Sequence, residues 1–474
     1  MTEPRFTRHR FLEGGVAAGG SLGLGSMLVG CGSSTEESPP DETRPAAGAA
    51  EAPAGLTGPL RVLGYSINLI DPIREAAEKD LGFQIVFDLA QDADAGRERV
   101  ITQPDSFDVL SEHHSHLDWL WPSGNLQPVD ISRITRWSEI TPLFKLGKVN
   151  PGDPSCTYGE GDAPFRNLYV DPEGTGSWKT SPDTISELDG VLVEWLDEAS
   201  GQGNGVEPTF CSMVPGVIGG DAFGYNGDIV QKEPEEISWA ELFNPMWRGR
   251  VALVNDPNQA VHETSLAAKT LGLMTFARLG NPTKEEIDAL VKILLELQKK
   301  GHFRAFWSEF QESVDLMASG DVVIESMYQP AVALLQAQQL PVRYALPAEG
   351  LRGFSGGFSI SAGVTDPATL QACYDFINWW YSGFPAAIMM RQSFYYAVQE
   401  TSRAFVEPGE YAYWIEGAPA DKDYPGPFGD VSIHKGQVRD GGSFEERVCR
   451  MAVWNSIFDE VPYLLERWAE LVSA

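Results

Sequence analysis

The regular alternation of strand-forming and helix-forming segments is the feature that most restricts the fold of this chain. Residues 60–63 predict a short strand, after which Asp71-Pro72 supplies a helix cap and a proline at the first helical position. The predicted helix ends near Leu81, and further strands are predicted over 83–89 and 107–114. Strands that alternate with helices at this spacing are typical of an α/β fold with parallel strands.

The same alternation resumes after residue 214. Two predicted capping boxes, Ser238 with Glu241 and Thr283 with Glu286, each indicate the start of a helix. Between the two halves, residues 150–210 are rich in Gly, Pro, Asp and Thr, and we predict a loop-rich insertion there. A chain of 474 residues is long enough to build two lobes, each with its own core.

The N-terminus predicts export and lipidation. Residues 28–31, Leu-Val-Gly-Cys, follow a short glycine-rich apolar stretch and resemble the lipobox of bacterial lipoproteins, in which the cysteine sulfur carries the lipid. We therefore predict a signal peptide over residues 1–31 that ends at the lipidated Cys31, because the stretch is too short for a transmembrane helix. "TRHRFLE" resembles a twin-arginine signal with His9 in place of the second arginine, so the export route stays open.

Residues 32–58 are small, polar and rich in proline, and this composition predicts a disordered tether. The folded part is thus expected in the periplasm or at the cell surface, held to a membrane only by its lipid. The formal net charge of −32, from 35 basic and 67 acidic residues, argues against nucleic acid as a partner. The acidic excess fits either a solvated surface or a preference for cationic ligands.

Four cysteines remain once Cys31 is assigned to the lipid, and an even number in an oxidising compartment predicts disulfides. We predict that Cys156 pairs with Cys211, since the two flank the glycine-rich segment 157–207. The pairing of Cys373 with Cys449 then follows by elimination. No two of the four show the short spacing of a zinc knuckle.

The sequence contains no motif of a nucleophilic or nucleotide-dependent enzyme: it lacks G-x-S-x-G, the Walker A loop and G-x-G-x-x-G after a strand. This predicts a binding protein without a catalytic centre or a cofactor. The cluster of His113, His114 and His116 beside Glu112 leaves an alternative, because imidazole and carboxylate ligands suit iron or zinc. If these side chains bind a metal ion, the chain would be a ferric or other metal-ion transport protein, or a secreted metal-dependent hydrolase. The other interpretation is a solvated loop, or one from which one or two of these side chains line a cleft.

Three longer segments resemble the solute-binding proteins of ABC importers, nearest to the spermidine/putrescine-binding branch. They are "VPGVIGGDAFGYNGDIV" (214–230), "SWAELFNPMWRGRVALVNDP" (238–257) and "SGDVVIESMYQPAVALLQAQQLPVRYALPAEG" (319–350). The resemblance implies the two-lobe periplasmic binding protein fold, in which each lobe is a mixed, mostly parallel sheet flanked by helices. A hinge would close the lobes on a small solute, which is then delivered to an inner-membrane ABC permease.

The resemblance also implies lobe boundaries and a ligand site. Lobe 1 would comprise residues 59–216 and 355–404, and lobe 2 residues 217–354 and 405–474. The loop "NDPNQA" (255–260) would be a ligand cradle and not a catalytic loop. The implied ligand positions are Tyr65, Ser66, His113, Ser115 and Tyr328.

Two positions at which the family carries carboxylates are occupied here by Pro257 and Ala260. Another aspartate position holds Gly357, beside Ser355 at a tryptophan position. Carboxylates that could take over the binding of an amine are Asp256, Glu325, Asp221 and Glu112. We predict a small cationic solute of polyamine type between Tyr65 and Tyr328, with Asp256 and Glu325 nearby, since aromatic faces and carboxylates attract cations. For Asp256 the alternative role is a cap of the turn.

Overall fold

The computed structural model describes residues 51–65, 68–91, 93–150, 152–161, 164, 168–170, 196–197, 202–203, 209–427, 429 and 431–474. The predicted signal peptide with Cys31, most of the predicted tether, Ser66 and most of the 150–210 insertion lie outside these residues. Within the described part of the chain, no helix is long and apolar enough to span a bilayer.

The helices are α1 (Asp71–Leu81), α2 (Ala93–Thr102), α3 (Leu117–Leu120), α4 (Pro142–Leu146), α5 (Gly227–Val230), α6 (Pro257–Thr270), α7 (Lys284–Lys299), α8 (Phe310–Ser319), α9 (Gln329–Ala337), α10 (Pro367–Trp380), α11 (Phe384–Arg391), α12 (Pro408–Tyr411), α13 (Phe444–Val448) and α14 (Val461–Val472).

The strands are β1 (Leu60–Gly64), β2 (Ile85–Leu89), β3 (Val109–His113), β4 (Leu126–Gln127), β5 (Val129–Asp130), β6 (Leu196–Asp197), β7 (Gln202–Gly203), β8 (Phe210–Cys211), β9 (Val214–Asp221), β10 (Phe223–Asn226), β11 (Val251–Val254), β12 (Phe303–Trp307), β13 (Ile324–Ser326), β14 (Val342–Tyr344), β15 (Leu351–Ser361), β16 (Tyr395–Tyr396), β17 (Tyr424–Pro425), β18 (Val431–Ile433) and β19 (Met451–Trp454).

The first lobe is built on a mixed sheet in the order β16-β9-β15-β3-β1-β2, with β4 and β19 also paired to β15. Strand β1 runs parallel to β2 and β3, as the strand–helix–strand pattern predicts. The long strand β15 is antiparallel to both β3 and β9, which makes the sheet mixed. Side chains such as Val62 and Ile218 are fully buried between this sheet and its helices.

The second lobe has a five-stranded sheet in the order β12-β11-β13-β10-β14. Strand β11 is parallel to its two neighbours, and β10 is antiparallel to both of its own. The chain passes between the two sheets at residue 222, after β9, and returns over residues 345–350, before β15. Each crossing joins a strand of the first sheet, β9 or β15, to a strand of the second sheet, β10 or β14, and we place the hinge at these two crossings.

The predicted helix bounds are confirmed for α1, which covers Asp71–Leu81 and ends at Gly82 in the left-handed conformation. The predicted cap is wrong: the N-cap is Ile70, and Asp71 and Pro72 both lie in the first turn. Thr283 and Glu286 form the predicted capping box at the start of α7, with reciprocal hydrogen bonds of 3.3 and 2.9 Å. The predicted box at Ser238 is wrong in one half: Ser238 accepts from the Ala240 N–H, but Glu241 turns away to Lys232 and Trp247.

The two predicted disulfides are wrong. The structure pairs Cys156 with Cys449, whose Cα atoms are 4.1 Å apart although 293 positions separate them in sequence. The segment around Cys156 runs alongside β19, where Thr157 N–H donates to the Cys449 carbonyl at 2.8 Å. Cys211 on β8 and Cys373 on α10 are buried, and neither forms a disulfide with a described residue. Nothing in the local sequence indicates that segment 152–161 packs against β19. The position of two cysteines on either side of a glycine-rich segment is therefore not enough to predict a disulfide between them.

Candidate solute-binding site

The carboxyl ends of β1 and β3 bring predicted site residues of the first lobe together. Tyr65 follows β1 directly, and its hydroxyl donates to Oε2 of Glu112 on β3 at 2.6 Å. Because β1 and β3 are parallel neighbours, both residues reach the same edge of the sheet. Glu112, which we predicted only as a substitute ligand, therefore holds the side chain of Tyr65 in place.

Glu112 is the central acid of this edge, and its side chain is fully buried. Its Oε1 accepts the His113 backbone N–H at 2.6 Å and lies 3.0 Å from Nδ1 of His116. Burial works to raise the pKa of Glu112, but the nearby His116 and His113 and the Tyr65 hydroxyl outweigh it and hold that pKa below its ordinary value. Glu112 is therefore an ionised carboxylate at neutral pH.

His113 lies partly buried between His116, at 5.6 Å between ring centroids, and Phe354, at 6.3 Å. Desolvation and the proximity of His116 lower the pKa of His113 to about 4, while Glu112 and Asp256 oppose this shift. The His113 imidazole is thus neutral at pH 7, and it adds a polar aromatic surface without a positive charge.

Asp256 caps helix α6, so residues 257–260 of "NDPNQA" belong to a helix and not to a loop. Its Oδ1 accepts the Asn258 N–H at 3.0 Å, and its Oδ2 accepts Nε2 of Gln259 at 2.7 Å. The same Gln259 amide donates to the Tyr328 hydroxyl at 3.0 Å. The capping role of Asp256 is therefore present, and it orients a chain of polar groups that ends at Tyr328.

Tyr328 belongs to the second lobe and precedes helix α9. Its ring contacts Trp307 edge to face at a centroid distance of 5.4 Å. Burial, followed by the negative charge of Asp256, raises the pKa of Tyr328 above its ordinary value, so the phenol stays protonated. Asp256 is thus near enough to influence both Tyr328 in the second lobe and His113 in the first.

A buried ion network lies next to this group and joins the lobes. Arg352 at the start of β15 donates to Glu263 on α6 and to Asp221 at the end of β9, at 3.0 Å each, and to Asn455 at 2.8 Å. Burial opposes the charge on Arg352, but Glu263 and Asp221 raise its pKa above the ordinary value. Burial likewise raises the pKa of each of the two carboxylates, against the attraction of Arg352.

Other predicted site residues lie in different surroundings. Glu325 is fully buried on β13, where its neighbours are Ser313 and Glu312 of helix α8. Burial raises its pKa well above the ordinary value and so favours its neutral form. Ser115 is buried in the short turn after β3. Among the described residues, no group of three His, Cys, Asp or Glu side chains is arranged to hold a metal ion.

Sequence reasoning missed Arg352, Glu263 and Gln259. The first two are 89 positions apart and meet only through the crossing strand. Gln259 had a detectable signal, because it lies one turn after a capping aspartate, where a side chain can return to the cap.

The two-lobe architecture with polar groups between the sheets defines a solute-binding protein, and the comparisons agree. Residues 168–414, more than half of the chain, match the family model of bacterial extracellular solute-binding proteins. The chain belongs to this family, whose members bind small solutes outside the cytoplasm, at the periplasm or the cell surface, and deliver them to a membrane permease. These are transport proteins and not enzymes.

Solved structures confirm the predicted two-lobe fold. A Listeria monocytogenes protein assigned to spermidine/putrescine ABC transport is 13% identical, with a TM-score of 0.56 over 88% of this chain and 99% of that one. The spermidine/putrescine substrate-binding protein PotD of Streptococcus pneumoniae, in complex with calcium and HEPES, is 13% identical, with a TM-score of 0.53 over 88% and 97%. MotA of A. tumefaciens B6 in complex with glucopine is 13% identical, with a TM-score of 0.51 over 87% and 99%. No curated protein sequence matches the chain.

Proposed function

We propose that the chain binds a small organic cation of polyamine type between Tyr65, His113, Asp256 and Tyr328, and that it delivers this solute to an ABC permease. The observation that carries the proposal is the position of Asp256. This carboxylate is linked through Gln259 to Tyr328 in the second lobe, and its charge also acts on the pKa of His113 in the first lobe. A negative charge that both lobes sense supports a cation site beside it.

The balance of charge around the group supports a cation. Four carboxylates, Glu112, Asp221, Asp256 and Glu263, stand against three guanidinium groups, those of Arg97 beside His116, of Arg352, and of Arg447, whose charge acts on Asp221. The neutral His113 adds no positive charge at pH 7. A buried ammonium group needs a carboxylate partner, because leaving it unpaired costs several kcal/mol. Asp256, which is only partly buried and retains acceptor positions beyond its two hydrogen bonds, can supply that partner.

The aromatic side chains support an extended or methylated amine more than a bare metal ion. Tyr65 and Tyr328 present rings at the ends of elements in different lobes, and aromatic faces attract cations by about 0.5–2 kcal/mol per contact. Two of the similar structures bear names that refer to spermidine/putrescine, and a third holds glucopine. The identity of 13% means that these names support the class of solute only as an analogy.

A direct binding experiment tests the proposal. Isothermal titration of the purified chain with spermidine, putrescine, betaine and neutral amino acids should show saturable binding of at least one cation. Asp256→Asn, which keeps the cap but removes the charge, should then weaken that binding at least tenfold. Asp366→Asn is the matched control, since Asp366 caps α10 in the same way by accepting the Thr369 N–H at 2.8 Å. Cation affinity that stays within twofold in Asp256→Asn contradicts the proposed role of Asp256.

We also propose that the two lobes close on the solute, with the whole of β9, β15 and β19 moving as part of the first lobe, to whose sheet they belong. X-ray scattering should give a smaller radius of gyration for the saturated protein than for the free protein. An unchanged radius at saturation would contradict closure.

We propose in addition that Cys31 carries the lipid that holds the protein at a membrane. Cys31→Ser should move the protein from the membrane fraction to the soluble fraction. Unchanged fractionation would contradict the anchor without affecting the proposed solute.

A further inference from the structure

A second polar cavity lies in a different part of the molecule, between helix α9 and the C-terminal segment. We call it the Arg439 cavity. Its walls include Gln329, Ser393, Tyr413, Trp414, Arg439 and Asp440. It holds about 290 Å³ of space between atoms, part of which is open to solvent. The gaps between its side chains leave room for one or two waters or one small ion.

Arg439 is a buried cation without a carboxylate partner in the described part of the chain. Its side chain is only 4% exposed. The guanidinium donates to two backbone carbonyls, those of Trp414 and Ser393. It also lies between the rings of Tyr395 and Trp414, at 4.6 and 4.9 Å from their centroids. These contacts hold the guanidinium in place, but none of them neutralises its charge.

Two donors remain at the cavity wall. Nε of Arg439 and Nε1 of Trp414 are buried and have no hydrogen-bond acceptor among the described residues. A buried donor that finds no acceptor costs about 1–3 kcal/mol, and such groups are usually satisfied by water or an ion. Both orphaned atoms are donors, and the occupant that suits them is therefore an acceptor.

The one carboxylate on the wall is already engaged. Oδ1 of Asp440 accepts from Arg343 at 3.2 Å, and its Oδ2 accepts from Gln336 at 2.9 Å and from the Tyr344 N–H at 2.8 Å. A further guanidinium, that of Arg447, donates to the Asp440 carbonyl at 2.8 Å. Burial and the charge of Arg447 both lower the pKa of Arg439, as expected where positive charge is in excess. Arg343 also pairs with Glu233, at 2.7 Å, whereas Arg439 forms no ion pair with a carboxylate among the described residues.

We propose that the Arg439 cavity is a binding site for one small inorganic anion, of the size of chloride, held by the Arg439 guanidinium and Nε1 of Trp414. The anion neutralises the buried charge and joins the segment of Trp414 to that of Arg439. The site is independent of the proposed solute site, because it uses an unpaired cation where that site uses carboxylates.

The first test compares thermal unfolding of the full chain in sodium chloride, sodium bromide and sodium gluconate at equal ionic strength. Gluconate is too large for the cavity. Chloride and bromide should raise the midpoint by roughly 2 °C or more over gluconate. Arg439→Met should abolish this difference. Arg403→Met is the matched control and should keep it, since Arg403 also stacks on an aromatic ring, that of Tyr411, but pairs with Glu400.

The second test does not depend on the variant's folding. Crystals grown in saturating bromide should show an anomalous peak within hydrogen-bonding distance of the Arg439 guanidinium. Such a peak supports the proposal even if Arg439→Met does not fold. The absence of a peak at saturating bromide, or equal midpoints in all three salts, means that the cavity holds only water and overturns the proposal.

Discussion

Two buried arginines of this molecule have different kinds of partner. Arg352 is 2% exposed and has two carboxylates within hydrogen-bonding distance. Arg439 is 4% exposed and has carbonyls and aromatic rings around it. Removing one partner of a buried ion pair strongly lowers stability, because the remaining charge is then neither paired nor hydrated. Two arginines that are buried to a similar degree can therefore differ in how much each contributes to the free energy of unfolding.

The surroundings of the two arginines reflect their places in the chain. Arg352 starts β15 at the crossing between the lobes, and its partners come from β9, α6 and the segment after β19. Arg439 holds the C-terminal segment to residues near α11. We therefore expect Arg352 to secure the interlobe geometry and Arg439 to depend on what fills its cavity.

The largest effect is expected from Arg352→Met. The substitution leaves Asp221 and Glu263 buried without their counter-ion, and the free energy of unfolding should fall by about 3–5 kcal/mol. Urea denaturation followed by tryptophan fluorescence measures this change. The matched control is Arg304→Met, because Arg304 forms a half-exposed pair with Asp321 and should cost less than about 1 kcal/mol. A loss below about 1 kcal/mol in Arg352→Met would show that the two carboxylates are not dependent on it.

The next effect concerns the Cys156–Cys449 disulfide. Cys449 lies in sequence between Arg439 and Asn455, a partner of Arg352. Replacing Cys156 and Cys449 by serine should lower the free energy of unfolding by about 2–4 kcal/mol, since the bridge closes a very long loop. Dithiothreitol should lower the midpoint of the natural protein and leave that of the double variant unchanged. Peptide mapping without reduction gives an independent check, and a Cys156–Cys211 peptide would contradict the pairing.

Local sequence was sufficient for the elements that local chemistry determines. Helix α1 begins at Asp71-Pro72 and ends before Gly82, as the proline and the glycine predict, although Ile70 and not Asp71 is its N-cap. The alternation of strands and helices predicted the parallel β1–β3 core, and the resemblance predicted the two lobes. The Ser238 box failed at Glu241, because Lys232 and Trp247 offer that carboxylate stronger partners than the cap does.

The site could be predicted only in part, because its contacts are between distant positions. Tyr65 and Glu112 are 47 positions apart, yet both fall at strand ends, and strand ends are readable from sequence. Arg352 and Asp221 are 131 positions apart, and neither residue carries a local signal of the other. The disulfide prediction was wrong for the same reason, because the pairing of Cys156 with Cys449 over 293 positions is decided by tertiary packing.

A pH effect sharpens the comparison, because Arg352 acts on histidines around it. Burial, and then the charge of Arg352, lower the pKa of the fully buried His262 to about 3. Below pH 6.5, His262 of the unfolded chain is therefore protonated, whereas His262 of the folded chain stays neutral until the pH approaches 3. Stability from this group is present above about pH 6.5 and is lost as the pH falls toward 3. Between pH 6.5 and 5 the loss amounts to at most about 2 kcal/mol for one histidine.

His262→Gln should remove that part of the pH dependence, measured as the change in free energy of unfolding between pH 7 and pH 5. His434→Gln is the control, since His434 lies outside the Arg352 network, beside the carbonyl of Ala337. Equal pH slopes in His262→Gln and the natural protein would show that His262 does not contribute.

The smallest effect is expected from Arg439→Met measured in sodium gluconate. This substitution leaves no carboxylate unpaired: it removes hydrogen bonds to two carbonyls, and it also removes the cost of burying a charge. The two contributions oppose each other, so the free energy of unfolding should change by no more than about 1 kcal/mol. Urea denaturation in gluconate, beside Arg352→Met in the same buffer, measures the contrast. A loss in Arg439→Met as large as that in Arg352→Met would mean that carbonyls and aromatic rings bind the buried guanidinium as firmly as two carboxylates do, and the distinction between the two arginines would fail.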